Sequence, residues 1–334
     1  RRICAVIECD FETKDNFIYT VNSPLKLERE LQALQTLNIP ARFAEHLPLP
    51  VRTQGAVCFP EQAQFHPLKF AAGISRDLKI REHTPARAFD GNTVLTDYGR
   101  ITAEKIIIAT RFPLINKHGF YFLKQYQNRS YVISLANAPQ VNGMYRDEAE
   151  NGYSFRNFGT SLILGGNAHR TGKLSNGWDG LESAAAHWYP TARLQYRWAA
   201  QDCMTLDGIP YIGRYGRRSH ELYVATGFNK WGMTSAMLAA MILTDQIQGI
   251  NNPYEEVFSP QRSSLHPQLA VNILESTCNL LKPTVPRCPH LGCALKWNPQ
   301  ERSWDCPCHG SRFTENGELI DNPATGDLDT KSLS

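Results

Sequence analysis

Two short boxes, "CPHLGC" from Cys288 and "CPCHGS" from Cys306, constrain this chain more than any other part of it. The stretch Cys288 to Phe313 is twenty-six residues long and holds four of the nine cysteines and two of the ten histidines. Each box opens with Cys-Pro, carries one histidine and has a glycine close behind, and fifteen residues separate His290 from Cys306. So many thiols and imidazoles in so little chain point to a metal, and two chemistries suit them. Zinc takes four ligands from the six side chains. A 2Fe–2S cluster with mixed ligation takes two thiolates on one iron and two imidazoles on the other.

The paired boxes resemble the cluster-binding loops of the Rieske family, and the match is specific. The resemblance implies that Cys288 and Cys306 bind one iron and His290 and His309 the other. It also implies a disulfide between Cys293 and Cys308, as in the family members that pin their loops together. Closing a loop of about fifteen residues would contribute roughly 3 kcal/mol. Neutral imidazoles in place of two thiolates raise the reduction potential to roughly −150 to +300 mV. Ser311 stands where the family places a hydroxyl donor to cluster sulfur. Phe313 stands where respiratory members often carry a tyrosine, so a potential below theirs is expected. Asn322-Pro323-Ala324 resembles the loop that covers the cluster. Only "NLLKPTVPR" precedes the first box, so the supporting sheet is expected to be truncated.

The remaining sequence reads as a large α/β region. At 334 residues the chain is long enough for one such region and something smaller. Residues 16–22 suit a strand and 25–38 a helix. "FHPLKFAAGISRDL" places proline just inside a helix start, with His66 at the cap. Around Tyr98-Gly99 two strands are expected, the second ending in Ile106-Ile107-Ile108 and buried on both faces. "YFLKQY", "SYVISLA", "GYSFRNF" and "SLILGG" suggest antiparallel strands. Residues 180–200, with Trp188 and Trp198, read as a helix. "LYVATG" is a strand that runs into a helix closed by Gly249. Residues 251–281 read as a linker with a short helix at 268–281, and 282–334 as the small domain.

"QDCMTLDGIPYIGRYG" and "ELYVATGFNKWGMT" resemble the last flavin-binding segment of the D-amino-acid-oxidase-like family of FAD oxidoreductases. The residues that carry this are Asp207, Gly208, Pro210, Ile212 and Gly213, then Ala225-Thr226-Gly227 and Gly232. The fold implied is an α/β (α+β) FAD-binding and substrate region over 1–250, followed by a small all-β Rieske domain. Gly227, Phe228, Gly232, Met233 and Thr234 would lie against the flavin, where glycines admit close approach and a helix N-terminus favours negative charge. Lys230 stands where some amine-oxidising relatives place an arginine for the substrate carboxylate. Arg156, His169 and Gln201 are further polar candidates for the pocket. The family's Gly-x-Gly-x-x-Gly motif is not found here, so an N-terminal segment is expected to be missing and FAD to bind poorly to this piece.

A net charge of +3 does not suggest nucleic acid, and "GRYGRRSH" reads as a solvated turn. No run reaches the roughly 18–20 apolar residues of a membrane helix. Cys4, Cys9, Cys58, Cys203 and Cys278 lack metal spacing and read as buried small hydrophobes in a reducing, cytoplasmic setting. These readings together imply a flavin-dependent oxidoreductase. It would pass electrons from a small organic substrate, an amine or amino acid, through FAD to the 2Fe–2S cluster and on to an external acceptor. The alternative is a Rieske electron-transfer module whose flavoprotein-like region is not catalytic.

Overall fold

The computed structural model describes residues 1–283 and 286–329. Thr284 and Val285 of the lead-in to the first box, and residues 330–334 of the expected small domain, lie outside them. In chain order the elements are β1 (Glu12–Thr20), α1 (Leu25–Thr36), β2 (Arg42–Ala44), β3 (Gly55–Gln64), α2 (Pro67–Ser75), β4 (Ala86–Asp90), β5 (Thr93–Thr96), β6 (Gly99–Thr102) and β7 (Ile106–Ile108). Then follow α3 (Tyr121–Lys124), β8 (Gln125–Ala136), β9 (Met144–Asp147), β10 (Ser154–Phe158), β11 (Ser161–Arg170), α4 (Gly177–Trp188) and β12 (Arg193–Thr205). The last third holds β13 (Tyr211–Arg214), β14 (Leu222–Thr226), α5 (Gly232–Gln248), α6 (Glu255–Phe258), α7 (Pro267–Leu281), β15 (Lys296–Asn298), β16 (Ser303–Asp305), β17 (Arg312–Thr314) and β18 (Leu319–Asp321).

The chain forms two compact units, one of residues 1–80, 130–169 and 175–200, the other of 81–129, 170–174 and 201–334. The first unit is built on an eight-stranded sheet in the order β12-β8-β11-β10-β9-β1-β3-β2, whose strands β8, β11 and β12 run on into the second. Alternation along these strands sends Tyr19, Tyr131, Tyr145, Phe155 and Leu164 to one face, where Leu181 and Ala185 of α4 complete the core. Helix α1 lays Leu27 and Leu34 on Val57 of β3. At α2, Pro67 occupies the first turn and the His66 ring accepts from the Lys69 N–H at 3.3 Å, so His66 is the cap that the sequence suggests.

The helix expected over 180–200 ends at Trp188, because Pro190 closes it, and the chain from Arg193 runs as strand β12. "YFLKQY" is likewise a turn of helix, α3, before β8 begins at Gln125.

In the second unit β7 pairs in parallel with β14, and β13 antiparallel with β14. Ile212, Tyr223 and Ala225 of this sheet pack on Ala239, Ile242 and Leu243 of α5, and Gly249 ends that helix at φ 73°. Ile107 is 46% exposed, so β7 is buried on one face only. It pairs with one neighbour, whereas the expectation assumed a strand inside a wide sheet. The small C-terminal part is an antiparallel meander, β15-β16-β17-β18, preceded by α7. Its apolar core is half box cysteines, with Leu295, Phe313, Ala324 and Leu328. An α/β body with a mixed sheet and a small all-β domain is the fold class read from the sequence. No described helix is long and apolar enough to cross a membrane.

Candidate metal centre and flavin turn

The two boxes fold alike. In the first, Cys288 N–H donates to Cys293 O at 2.9 Å and Gly292 N–H to Cys288 O at 2.8 Å. In the second, Cys306 N–H donates to Ser311 O at 2.8 Å and Gly310 N–H to Cys306 O at 2.9 Å. Gly292 and Gly310 take φ 78° and 88°, a region that a side chain disfavours. The same backbone pattern, six residues long and begun at the first cysteine, makes Cys288 and Cys306 equivalent positions on two facing loops.

Six potential ligands converge there. The thiols of Cys288, Cys293 and Cys308 crowd that of Cys306 and hold it well below the ordinary range. The same crowding by Cys306, together with burial, pushes the Cys288 thiol up. Ligand atoms of Cys293, Cys306, Cys308 and His309 lie within 4.8 Å of one another. The four box cysteines all stand as free thiols. The quartet differs from the set Cys288, His290, Cys306 and His309 expected of the boxes. A mixed cluster needs two imidazoles, and the quartet holds one. The His290 and His309 rings supply them with centroids 4.9 Å apart and planes at 87°. No bond joins Cys293 to Cys308 here, although their sulfurs are within 4.8 Å.

The imidazoles carry the clearest sign of a metal. Nδ1 of His290 and both ring nitrogens of His309 are buried without a hydrogen-bond partner. A buried polar atom left unpaired in this way costs roughly 1–3 kcal/mol, a cost that coordination removes. Burial, and then the neighbouring His309, push the His290 pKa down to about 3, so the ring is neutral, as a ligand must be. The donor set therefore fits a 2Fe–2S cluster. Ser311, fully buried beside Cys288, accepts from Ala324 N–H at 2.9 Å and keeps its own proton to give.

The shortage of supporting strands expected from the sequence is met by other parts of the same unit. The second box rests on the inner ends of β8, β11 and β12. A Cβ on Gly310 would lie 2.2 Å from Cγ of Gln127, so glycine is required there. Arg170 donates to Pro307 O at 2.9 Å and Cys308 O at 3.1 Å. Gln201 donates to Gly310 O at 2.9 Å and to Asp321 Oδ2 at 3.1 Å, and accepts from Thr171 Oγ1 at 2.8 Å. Gln201 is thus a buried brace under the cluster loop, neither a surface residue nor a pocket wall. Arg129 on β8 grips Glu301, which also pairs with Arg312 at 2.9 Å, and Arg312 in turn reaches Asp305 at 2.9 Å.

The segment between β7 and α3 touches the cluster loops twice. Asn322 Nδ2 donates to Thr110 O at 3.1 Å and Phe112 O at 3.3 Å, and Arg111 pairs with Asp321. Asn116 Oδ1 meets Nε2 of His290 at 2.7 Å. A groove of about 560 Å³, lined by Asn116, Lys117, His118, Pro289, His290 and Pro323 among others, opens beside this imidazole.

The candidate flavin turn lies between β14 and α5. Gly227 has φ 71°, and a Cβ there would meet Thr205 Cγ2 at 2.2 Å. Asn229 braces the turn, donating to Gly227 O at 2.6 Å and accepting from Thr205 N–H at 2.9 Å. Phe228 packs into the α5 core. No side chain caps α5, so the amides of Gly232, Met233 and Thr234 open its N-terminus, and a Cβ on Gly232 would meet nothing within 4 Å. Backbone donors beside free space suit an anionic ring edge, and these residues fit a flavin. Asp207, in the box before the strand, is a turn anchor: it takes Arg262 at 2.7 and 2.8 Å.

Comparison with known proteins agrees with both halves. The family model for FAD dependent oxidoreductase matches residues 1–246, and that for the Rieske [2Fe-2S] domain matches 271–332. This chain belongs to the FAD dependent oxidoreductase family and carries a Rieske domain. It is 31% identical over 383 residues to the putative Rieske 2Fe-2S iron-sulfur protein YhfW of Bacillus subtilis, covering 95% of this chain and 74% of that one. Its Rieske part is 48% identical over 40 residues to cytochrome b6-f complex iron-sulfur subunit 3 of a Nostoc strain, covering 12% of this chain and 22% of that protein. The fold resembles glycine oxidase from Geobacillus kaustophilus (TM-score 0.66, 19% identity, 78% of this chain and 79% of that one). It likewise resembles L-proline dehydrogenase from P. horikoshii (TM-score 0.66, 16% identity, the same coverage). FAD and a 2Fe–2S cluster are the cofactors of these two parts.

Within this FAD and Rieske framework, several residues stand away from the readings made of them. Lys230 is exposed at φ 69° in the flavin turn, and its charge acts on Asp202. His169 stacks on Tyr131 at 5.7 Å, and Arg156 is half-buried on β10. Cys278 is exposed and Cys4 half-buried, whereas Cys9, Cys58 and Cys203 are buried as expected. Asn116, Asp202 and the Arg129–Glu301 pair had no signal in the sequence, because each acts through a partner far along the chain.

Proposed function

We propose that this protein oxidises a small amine or amino acid and delivers the electrons through its cluster to an external acceptor, in a reducing, cytoplasmic setting. The observation that carries the reading is the convergence of two imidazoles, each with a buried and unpartnered Nδ1, and the equivalent cysteines Cys288 and Cys306 on two loops of one fold. In this reading Cys288 and Cys306 hold one iron and His290 and His309 the other, while Cys293 and Cys308 are close enough to brace the loops as a disulfide. When bound, the flavin would supply two-electron oxidation of the substrate and the cluster one-electron acceptance.

The chain's own residues do the rest. Gly227 and Phe228 shape the turn, and the amides of Gly232, Met233 and Thr234 face negative charge on the ring. Lys230 offers a cation for a substrate carboxylate. Asp202, half-buried and raised by that burial while Lys230, Arg111 and Arg129 oppose the rise, offers an acceptor for an amine. The groove at His290 gives an acceptor its approach. Residues 1–250 form the flavoprotein part, 251–281 the connection and 282–334 the cluster part.

The test is anaerobic purification with iron, sulfide and flavin assays, followed by an amine and amino-acid screen that monitors bleaching of the cluster. Two irons, two sulfides and flavin per chain, with substrate-dependent bleaching, are expected. A cluster without any flavin would leave only electron transfer, and zinc in place of iron would overturn the reading.

A further inference from the structure

The two histidines differ in what their outer nitrogens meet. Nε2 of His290 lies 2.7 Å from Oδ1 of Asn116, whereas Nε2 of His309 has no partner and its ring packs edge-on against Phe122. Asn116 is 4% exposed, and its amide is not free to turn. Its Nδ2 donates to Pro113 O at 3.2 Å and to Leu114 O at 3.4 Å, so the oxygen is the atom presented to the imidazole. An oxygen facing Nε2 requires the proton on that nitrogen. The lone pair is then on Nδ1, the nitrogen that is buried and unpartnered.

We propose that Asn116, on the flavoprotein side of the chain, is a positioning residue for the cluster: it fixes the tautomer and orientation of His290 and makes that imidazole a stronger donor than His309. This rests on the reading of His290 as a ligand. An acceptor on the far nitrogen of a ligating histidine raises its basicity, which favours the oxidised metal and lowers the reduction potential. The loop that carries Asn116 is also held to the covering loop through Asn322 and Asp321, so its conformation is set by the domain it serves. One ligand imidazole is thereby tuned by the neighbouring part of the chain and the other is not.

The experiment uses the whole cluster-loaded chain and two substitutions that keep the size of the side chain. Asn116→Leu removes the acceptor; Asn116→Asp keeps an oxygen and adds charge. The readouts are the midpoint potential and the nitrogen couplings in pulsed electron paramagnetic resonance of the reduced cluster. We expect Leu to raise the potential and Asp to lower it, with one of the two histidine nitrogen couplings changed and the other as in the parent. Both variants at the parental potential and couplings would overturn the role of Asn116. A shift in the same direction in both, as loosened packing would give, would also overturn it. If the Leu variant loses its cluster, the Asp variant alone decides by the sign of its shift. A parent protein without any Rieske spectrum would instead overturn the ligand reading itself.

Discussion

Replacing Arg129 by methionine tests how the cluster domain is held. Arg129 and Glu301 are buried, with side chains 8% and 9% exposed, and the guanidinium meets both carboxylate oxygens. Removing one partner of a buried pair costs about 3–5 kcal/mol, because the remaining charge stays out of water. Here Arg312 still lies 2.9 Å from Glu301, which places the expected loss at about 3 kcal/mol, a factor of ~150 in the folding equilibrium. Arg129→Met/Glu301→Met, which removes both charges, should recover most of that loss.

The same pair sets an acid limit. Burial alone would raise the Glu301 pKa, but the hydrogen bond from Arg129 and the charges of Arg312 and Arg129 outweigh it and hold the carboxyl below its ordinary value. A depressed folded pKa means that the stabilisation is complete above the unfolded carboxylate pKa and is lost as pH falls through the folded one. Urea unfolding followed by the visible circular dichroism of the cluster, repeated from neutral pH into acid, reads both effects. Arg129→Met should flatten the acid dependence as well as lower the midpoint. A loss below about 0.5 kcal/mol, or an unchanged acid slope, would refute the reasoning.

Gly310→Ala should cost about 2–5 kcal/mol, from the left-handed backbone at φ 88° and the 2.2 Å approach to Gln127, and lower the iron per chain. Gly91→Ala, at φ 57° in open space, carries only the backbone part and should cost about 1 kcal/mol by the same denaturation assay. Cys306→Ser should abolish iron and sulfide binding, whereas Cys293→Ser should keep the cluster and shorten its lifetime in air. Lys230→Ala should raise KM for a carboxylate-bearing substrate by about 10-fold and leave kcat near the parental value, measured by steady-state kinetics.

The sequence made the metal legible because its ligands are local: each box brings its own cysteine, histidine and glycine within a few residues. The helix cap at His66 and the stop at Gly249 were legible for the same reason. What escaped was non-local. The expected helix over 180–200 ran on into what is strand β12, because the pairing of β12 with β8, far back along the chain, leaves no local mark. Ile107 read as buried because a run of isoleucines cannot report how many strands flank it. Gln201 looked like a generic polar residue, yet three partners between positions 171 and 321 make it a brace.

Half of the buried residues at the small domain's apolar centre are its four box cysteines, each no more than 2% exposed. The centre is therefore shared between ordinary apolar side chains and sulfur. A bound cluster would tie these sulfurs and the two imidazoles together, so its binding free energy would add to the stability of the folded loops. The seat of the second loop on Gln127, Arg170 and Gln201 keeps those sulfurs out of water, so the same contacts that hold the loop would shield a bound cluster. Loss of the cluster would therefore loosen the centre of the small domain as well as end its electron transfer.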